Sequence, residues 1–310
     1  MAIYLTNDDV RALLPMGECI GVLDSLFRQE ARGLVENIAR RRVRFAGASG
    51  ATLMGGVVLG SKAYAMRMAG LSVLHDTDTG KVEALVDPGT VAWVRTGAAS
   101  GLATKYMARP DASVVGVIGT GRQAITQIEA ICAVRHITQV KAFSRNAENR
   151  ENFAREMSES LGVSVVAVDS AEACVRGSHI VVAITKSSVP VFDGAWLDSG
   201  THVNAAGANS WTRCEIDDVA IERSTLVVVD NLDQAKIECG ELIAAVEHGV
   251  FRWRDAVELH EVVGGTVPGR PSADAITLFE SQGIGIEDVA CYAYVLRQAR
   301  EHGRGQELPF

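Results

Sequence analysis

The chain has little cysteine chemistry to offer. Its six cysteines (Cys19, Cys132, Cys174, Cys214, Cys239 and Cys291) contain no CxxC pair. Thiols scattered in this way read as reduced core residues of a cytoplasmic protein, not as a disulfide framework. The seven histidines form no HxxxH or HxH pair, so no protein-ligated metal is expected. Basic charge is short as well: 30 Lys and Arg against 38 Asp and Glu leave a net charge of -8. With no basic tract or basic-and-aromatic stripe, partners such as nucleic acid or an anionic membrane surface are not expected. Apolar runs stop at strand length, far below a membrane span. The opening MAIYLTNDDVRALL lacks a basic segment followed by an apolar core, so no signal peptide is expected. Internal repeats and low-complexity segments are absent too. What is present is a globular composition, 47% hydrophobic and 22% charged over 310 residues, enough for two domains of ordinary size.

Two textures divide the chain. Thr6 before NDDVRALL predicts a capped short helix. PMGECIGVLDSLFRQEARG predicts a second, with Ile20, Leu23, Leu26 and Phe27 on one face and Gly33 at its end. Strands are expected between Arg40 and Asp87, with HDTDTGKV as a hairpin turn, then a helix over DPGTVAWVRTGAASGLATKYMA that ends at Arg109-Pro110. From Ser113 the runs VVGVIG, QVKAFSR, VSVVAV, IVVAIT, THVNAAG and TLVVVD are short, β-branched and apolar enough to be buried on both faces. Helical stretches separate most of them. The fold class expected is therefore α/β: a doubly wound parallel sheet over 113–285, and an α+β N-terminal domain over 1–112 that the C-terminal helix 286–310 rejoins.

VVGVIGTGRQAITQIEAI reads as strand, glycine turn and helix, with the motif G-x-G-x-x-A over Gly119, Thr120, Gly121, Arg122, Gln123 and Ala124. One glycine allows the tight turn and the next a close approach of a pyrophosphate. The small Ala124 lets the helix pack on the strand, and the helix N-terminus offers free N–H groups to phosphate. About twenty residues on, an NAD enzyme would hold the ribose with Asp or Glu. This chain has Ser144, Arg145 and Asn146 instead. These donors suit a 2′-phosphate that a carboxylate would repel, so NADPH is expected over NADH. The bland alternative is a solvated Arg145 beside an NAD bound without the carboxylate.

Together the motifs resemble the ornithine cyclodeaminase and mu-crystallin family. The matching stretches are GSK at 60–62, RTGAAS at 95–100, VIGTGRQA at 117–124, HVNAAGAN at 202–209 and ITLFESQGIGIEDVA at 276–290. The resemblance implies a homodimer whose N-terminal domain supplies substrate contacts and the dimer interface beside a Rossmann domain. It also implies small imino or amino acids as substrates. Their carboxylate is best held by a guanidinium fork or a lysine. By resemblance Arg40 is the carboxylate-binding arginine, although in ARRR the register also admits Arg41 or Arg42. Lys62, in the apolar run LGSKAYAM, corresponds to the active-site lysine that binds carboxylate and takes part in proton transfer. Arg95 is expected at both substrate carboxylate and cofactor, with Thr96 near the phosphates. Thr185, Asn204, Ala205, Arg213 and Ser281 are implied as cofactor contacts, and Gln282 as a substrate contact.

One departure from the family's pattern bears on the reaction. Where its cyclodeaminases and alanine dehydrogenases have an Asp followed by a Pro-Gly-Lys run, this chain has Asn209 and, further on, Arg213. An asparagine amide cannot titrate; it can only orient or hydrogen-bond. Cyclodeamination needs several managed proton transfers, whereas imine reduction needs a carboxylate anchor, a hydride donor and one proton source. The expected activity is thus NAD(P)H-dependent reduction of a small, cyclic α-imino acid such as pyrroline- or piperideine-2-carboxylate. Ornithine cyclodeaminase, an alanine-type dehydrogenase and a non-enzymatic NADPH-binding protein are the alternatives. Asp217 and Asp218 could replace the missing acid only if EIDDVAIERS were not the capped helix start it reads as.

Overall fold

The computed structural model describes residues 1–45 and 50–309, which divide into two compact units, Met1–Ala98 with Ile284–Phe310 and Ala99–Gly283. The division falls inside the long Pro88–Met107 helix, ahead of the Arg109-Pro110 break that the sequence offers as a boundary.

The first unit is built on a seven-stranded sheet. Its order runs Gln306–Glu307, Ile3–Leu5, Val82–Val86, Leu71–Asp76, Ala63–Met68, Gly50–Val58 and Val35–Arg44. Neighbours pair antiparallel except Ile3–Leu5 with Val82–Val86, which are parallel. The terminal strands Ile3–Leu5 and Gln306–Glu307 are too short to stand out in the sequence. Thr6 caps the Asn7–Leu13 helix as expected, accepting from the Asp9 amide while Asp9 reaches back to the Thr6 amide. In the Met16–Glu30 helix the predicted face of Ile20, Leu23, Leu26 and Phe27 is buried, which is what the 3–4 spacing of apolar residues exists to do. The Gly285–His302 helix packs on the Gly50–Val58 strand at close range. A Cβ at Gly285 would sit 2.2 Å from the Gly55 carbonyl oxygen, so only a glycine fits there.

The second unit is an eight-stranded, fully parallel sheet. Its order is Val257–Glu258, Leu226–Val229, Thr277–Glu280, His202–Ala205, Ile180–Ala183, Val114–Ile118, Gln139–Phe143 and Ser164–Ala167. Strand order reverses between Val114–Ile118 and Ile180–Ala183, so a crevice opens beyond their carboxyl ends, where such sheets take ligands. Apolar clusters cover both faces of the sheet, as the near-continuous hydrophobic strands require. The last carbonyls of the Pro88–Met107 helix are taken by arginines. Arg135 donates to Thr104, Lys105 and Ala108, and Arg270 to Met107.

Candidate active site

In the second unit the glycine turn does what its sequence suggests. Gly119 has φ +104, and a Cβ there would lie 2.4 Å from the Ile184 carbonyl oxygen. Gly121 opens the Arg122–Val134 helix with no side-chain cap, and a Cβ on it would meet nothing within 4 Å. The first amides of that helix therefore face open space, and Ala124 is buried behind them. The Gln123 Oε1 is buried with no hydrogen-bond partner among the described residues. Uncapped amides, an open glycine and an orphaned amide oxygen fit the pyrophosphate and neighbouring groups of a dinucleotide.

A cavity of about 460 Å³ lies beside this turn, lined among others by Gly119, Ser144, Arg145, Thr185 and Lys186. Ser144 accepts from the Thr120 hydroxyl at 2.9 Å and donates to the Asn146 carbonyl at 3.1 Å. Asn146, expected as a cofactor donor, is instead the N-cap of the Ala147–Leu161 helix: its side chain accepts from the Asn149 amide at 3.0 Å. Arg150, one turn into that helix and not anticipated, donates to the Ser144 carbonyl and pairs with Asp169 at 2.6 Å. Arg122 is exposed at the helix start.

Thr185 lies just past the Ile180–Ala183 strand, and its hydroxyl accepts from the Ser187 amide at 3.1 Å. Glu215, absent from the sequence-based candidates, braces this edge: its carboxylate accepts from the Thr185 amide and, at 2.6 Å, from the Gly207 amide. Asp230 does the same for the neighbouring turn, accepting from Gln282 and Gly283 amides at 2.8 and 2.6 Å. An acid closing the buried run TLVVVD is the signal that could have found it. Ser281 and Gln282 are both buried on that turn, and the Ser281 hydroxyl has no hydrogen-bond partner among the described residues.

Two expected cofactor contacts lie on a central strand. Asn204 and Ala205 lie within the His202–Ala205 strand, buried. The Asn204 amide donates to the Thr104 hydroxyl at 3.0 Å and its oxygen lies 3.3 Å from His202 Nε2. These contacts tie that side chain into the core of the second unit. Arg213 is also occupied, donating to Asn209 Oδ1 at 3.0 Å and to the Gly207 carbonyl at 3.4 Å. Asn209 is thereby locked as an acceptor. Neither nearby aspartate is available to stand in for it: Asp217 caps the Asp218–Arg223 helix and Asp218 pairs with His248 at 2.7 Å.

Behind these loops sit two more acids. Glu241 and Glu280 are buried, neither oxygen of Glu241 has a hydrogen-bond partner among the described residues, and Glu280 accepts the Cys239 thiol at 3.4 Å. Burial, reinforced for Glu241 by Glu215 and for Glu280 by Glu241, pushes both carboxyls well above their ordinary range. The folded state therefore holds protons that the unfolded chain releases near pH 4. Their stabilising contribution is full below that pH and is lost as pH rises through the folded-state values. Glu241→Gln, which keeps the shape without the charge, should raise the melting temperature at pH 8.5 by about 2–4 °C and change it little at pH 5. Equal shifts at both pH values would mean that the carboxyl does not titrate there.

In the first unit, the β-bulge between Ile38 and Arg41 separates the three candidate arginines. Arg40 turns inward and is 7% exposed, while Arg41 and Arg42 face out. A bulge re-aims a side chain in this way. Arg95 is 4% exposed and held by its own unit: Nε donates to Asp288 at 2.9 Å and Nη1 to Glu287 at 3.1 Å. Thr96 returns its hydroxyl to the Ala92 carbonyl at 2.7 Å. Lys62 departs most from expectation. It is not in a strand but ends the Leu59–Ser61 turn with φ +52, and its ammonium meets Asp78 at 2.5 Å with the side chain 67% exposed. Asp78, through its hydrogen bond and charge, holds that ammonium above its ordinary pKa. The open cavity that Lys62 lines, about 760 Å³, includes neither Arg40 nor Arg95.

The description "Ornithine cyclodeaminase/mu-crystallin family" belongs to the sequence profile that matches residues 2–303. A Delta(1)-pyrroline-2-carboxylate reductase of Bacillus cereus is 35% identical over 242 residues, covering 78% of this chain and 74% of that protein. The structure of the Thermococcus litoralis Delta(1)-pyrroline-2-carboxylate reductase, in complex with NADH and L-proline, superposes with a TM-score of 0.94 at 32% identity, covering 99% of this chain and all of that one. An archaeal alanine dehydrogenase dimer with bound NAD gives 0.92 at 32% identity, over 100% and 99% of the two chains. The profile spans almost every residue, including the glycine turn and the parallel sheet. The chain belongs to the ornithine cyclodeaminase/mu-crystallin family.

Proposed function

We propose that this protein is an NAD(P)H-dependent reductase that converts a small cyclic α-imino acid to the L-amino acid, with NADPH preferred. The observation that carries the reading is Asn209: a non-titrating amide, locked by Arg213, stands where acid–base work on a substrate amine would need a carboxylate. The likeness to a reductase that holds NADH and L-proline supports the same reaction class.

When bound, the dinucleotide supplies the hydride that adds to the imine carbon. The protein's residues do the rest. The Arg122–Val134 helix N-terminus and Gly121 would receive the pyrophosphate, Thr185 would contact the cofactor, Ser281 would flank the nicotinamide end, and Gln282 orients the substrate. Arg40, buried and cationic, is assigned the substrate carboxylate, since a guanidinium fork matches its two oxygens. By resemblance to the family, Lys62 or water is assigned the proton for the product nitrogen. Arg95, already neutralised by Glu287 and Asp288, holds the first unit together more than it holds substrate.

A homodimer completes the reading. Ile38, Val43, Met66, Met68 and Leu71 are exposed on three strands of the first unit's sheet, apolar surface of the kind that association covers.

The test follows nicotinamide absorbance with pyrroline-2-carboxylate, using NADPH and NADH in parallel, and ammonia release from L-ornithine. Rapid NADPH oxidation without ammonia release is the expected result. Ammonia from ornithine with no net cofactor change would make the protein a cyclodeaminase. NADH formation from L-alanine would make it a dehydrogenase, and cofactor binding without turnover a binding protein.

A further inference from the structure

We infer that Lys186, with Arg145, forms a two-cation clamp for the 2′-phosphate of NADP. This rests on the dinucleotide site proposed above and adds a residue that the glycine-turn motif and its strand end do not contain. The 460 Å³ cavity at the strand-order reversal is lined by apolar Phe143, Val189 and Pro190 and by polar Ser144, Arg145 and Lys186. An adenine ring fits the first kind of surface and a phosphate the second.

Three observations put the phosphate's charge on the two cations. No Asp or Glu lines the cavity, so nothing there favours ribose hydroxyls over a phosphate. The side chains that the sequence motif offers beside Arg145 are engaged: Ser144 already accepts from Thr120 and donates to Asn146, and Asn146 caps its helix. The cation of the next helix, Arg150, is neutralised by Asp169. Arg145 and Lys186, by contrast, have no ion pair or side-chain hydrogen bond among the described residues, and they reach the same cavity from two different strand ends. Two exposed cations without a protein carboxylate at one cavity suit an anion, and a dianionic phosphate can be held by both at once. The inorganic chemistry is also that of a pyrophosphate, and the probes must tell the two apart.

The experiment is a calorimetric titration of the full-length protein with 2′,5′-ADP and with 5′-ADP, for the wild type, Lys186→Ala, Arg145→Ala and Lys186→Arg. The wild type should bind 2′,5′-ADP more tightly. Each alanine variant should lose about 10- to 100-fold in 2′,5′-ADP affinity, the range for a hydrogen bond to a charged group, while 5′-ADP changes less than about 3-fold. Lys186→Arg should retain most of the affinity. If Lys186→Ala weakens both probes equally, Lys186 serves the pyrophosphate and the clamp is wrong. If the wild type prefers 2′,5′-ADP and Lys186→Ala leaves that preference intact, the clamp is wrong while the NADPH reading stands. A wild type that binds both probes alike would overturn the NADPH preference itself, and the clamp with it.

Discussion

Replacing Arg95 with alanine should destabilise the first unit by about 3–5 kcal/mol, the usual cost of removing one partner from a buried ion pair. Arg95 is 4% exposed and meets Asp288 and Glu287, themselves buried, at 2.9 and 3.1 Å. Without it, the buried Glu287 carboxylate would lose the guanidinium at 3.1 Å, and Asp288 would keep Arg67 at 3.3 Å. Such charges are far costlier unpaired than paired, because burial takes away water and the partner no longer replaces it. The loss should be visible as a lower urea midpoint with an unchanged slope. A triple variant, Arg95→Met with Glu287→Gln and Asp288→Asn, should recover much of the stability by removing the charges together. If Arg95→Ala unfolds at the wild-type midpoint, the triad is not closed in the folded protein, and Arg95 is free for a substrate carboxylate after all.

A contrasting pair of glycine substitutions should separate fold from ligand. Gly119→Ala forces a side chain onto a backbone at φ +104 and within 2.4 Å of the Ile184 carbonyl oxygen. Conformational strain and overpacking each cost about 1–3 kcal/mol, so this variant should lose several kcal/mol and lose dinucleotide binding because the turn is gone. Gly121→Ala differs: its φ is -86 and the new methyl would meet no protein atom within 4 Å. Its stability should stay within about 0.5 kcal/mol of wild type, while NADPH affinity falls at least about 10-fold because the methyl enters the space kept for phosphate. Thermal melting and fluorescence titration of the cofactor read the two effects separately. A Gly121→Ala protein that binds NADPH normally would place the pyrophosphate somewhere other than this helix end.

The features legible in the sequence are those set by neighbours in the chain. A strand, a glycine turn and a helix within some twenty residues specify Gly119, Gly121 and Ala124, because backbone sterics and helix termini are local matters. The capping pair Thr6 and Asp9 and the apolar face of Met16–Glu30 follow equally from short spacings. Runs of β-branched residues separated by helices marked six of the eight parallel strands of the second unit but not Val257–Glu258 or the central Thr277–Glu280, and the first unit's strands were legible apart from the start of Val35–Arg44, the break at Leu59–Ser61 and the two short terminal strands.

What each polar side chain does was decided elsewhere. The partners of Arg95 lie 192 and 193 residues away, so no local pattern could show that its guanidinium is occupied. A single bulge selects Arg40 over its two identical neighbours. Lys62 leaves the strand that its apolar surroundings suggest, because the chain turns at Leu59–Ser61 and Asp78 takes its charge. Asn204 became a core residue by meeting Thr104 across a hundred positions, and Glu215, Glu241 and Glu280 became a buried acidic group only when separate elements converged. Hydrophobic periodicity and turn chemistry act over a few residues and therefore survive in the bare sequence. Charge pairing, desolvation and the lining of a cavity depend on which distant residues packing brings within a few ångströms, and only the tertiary structure supplies that.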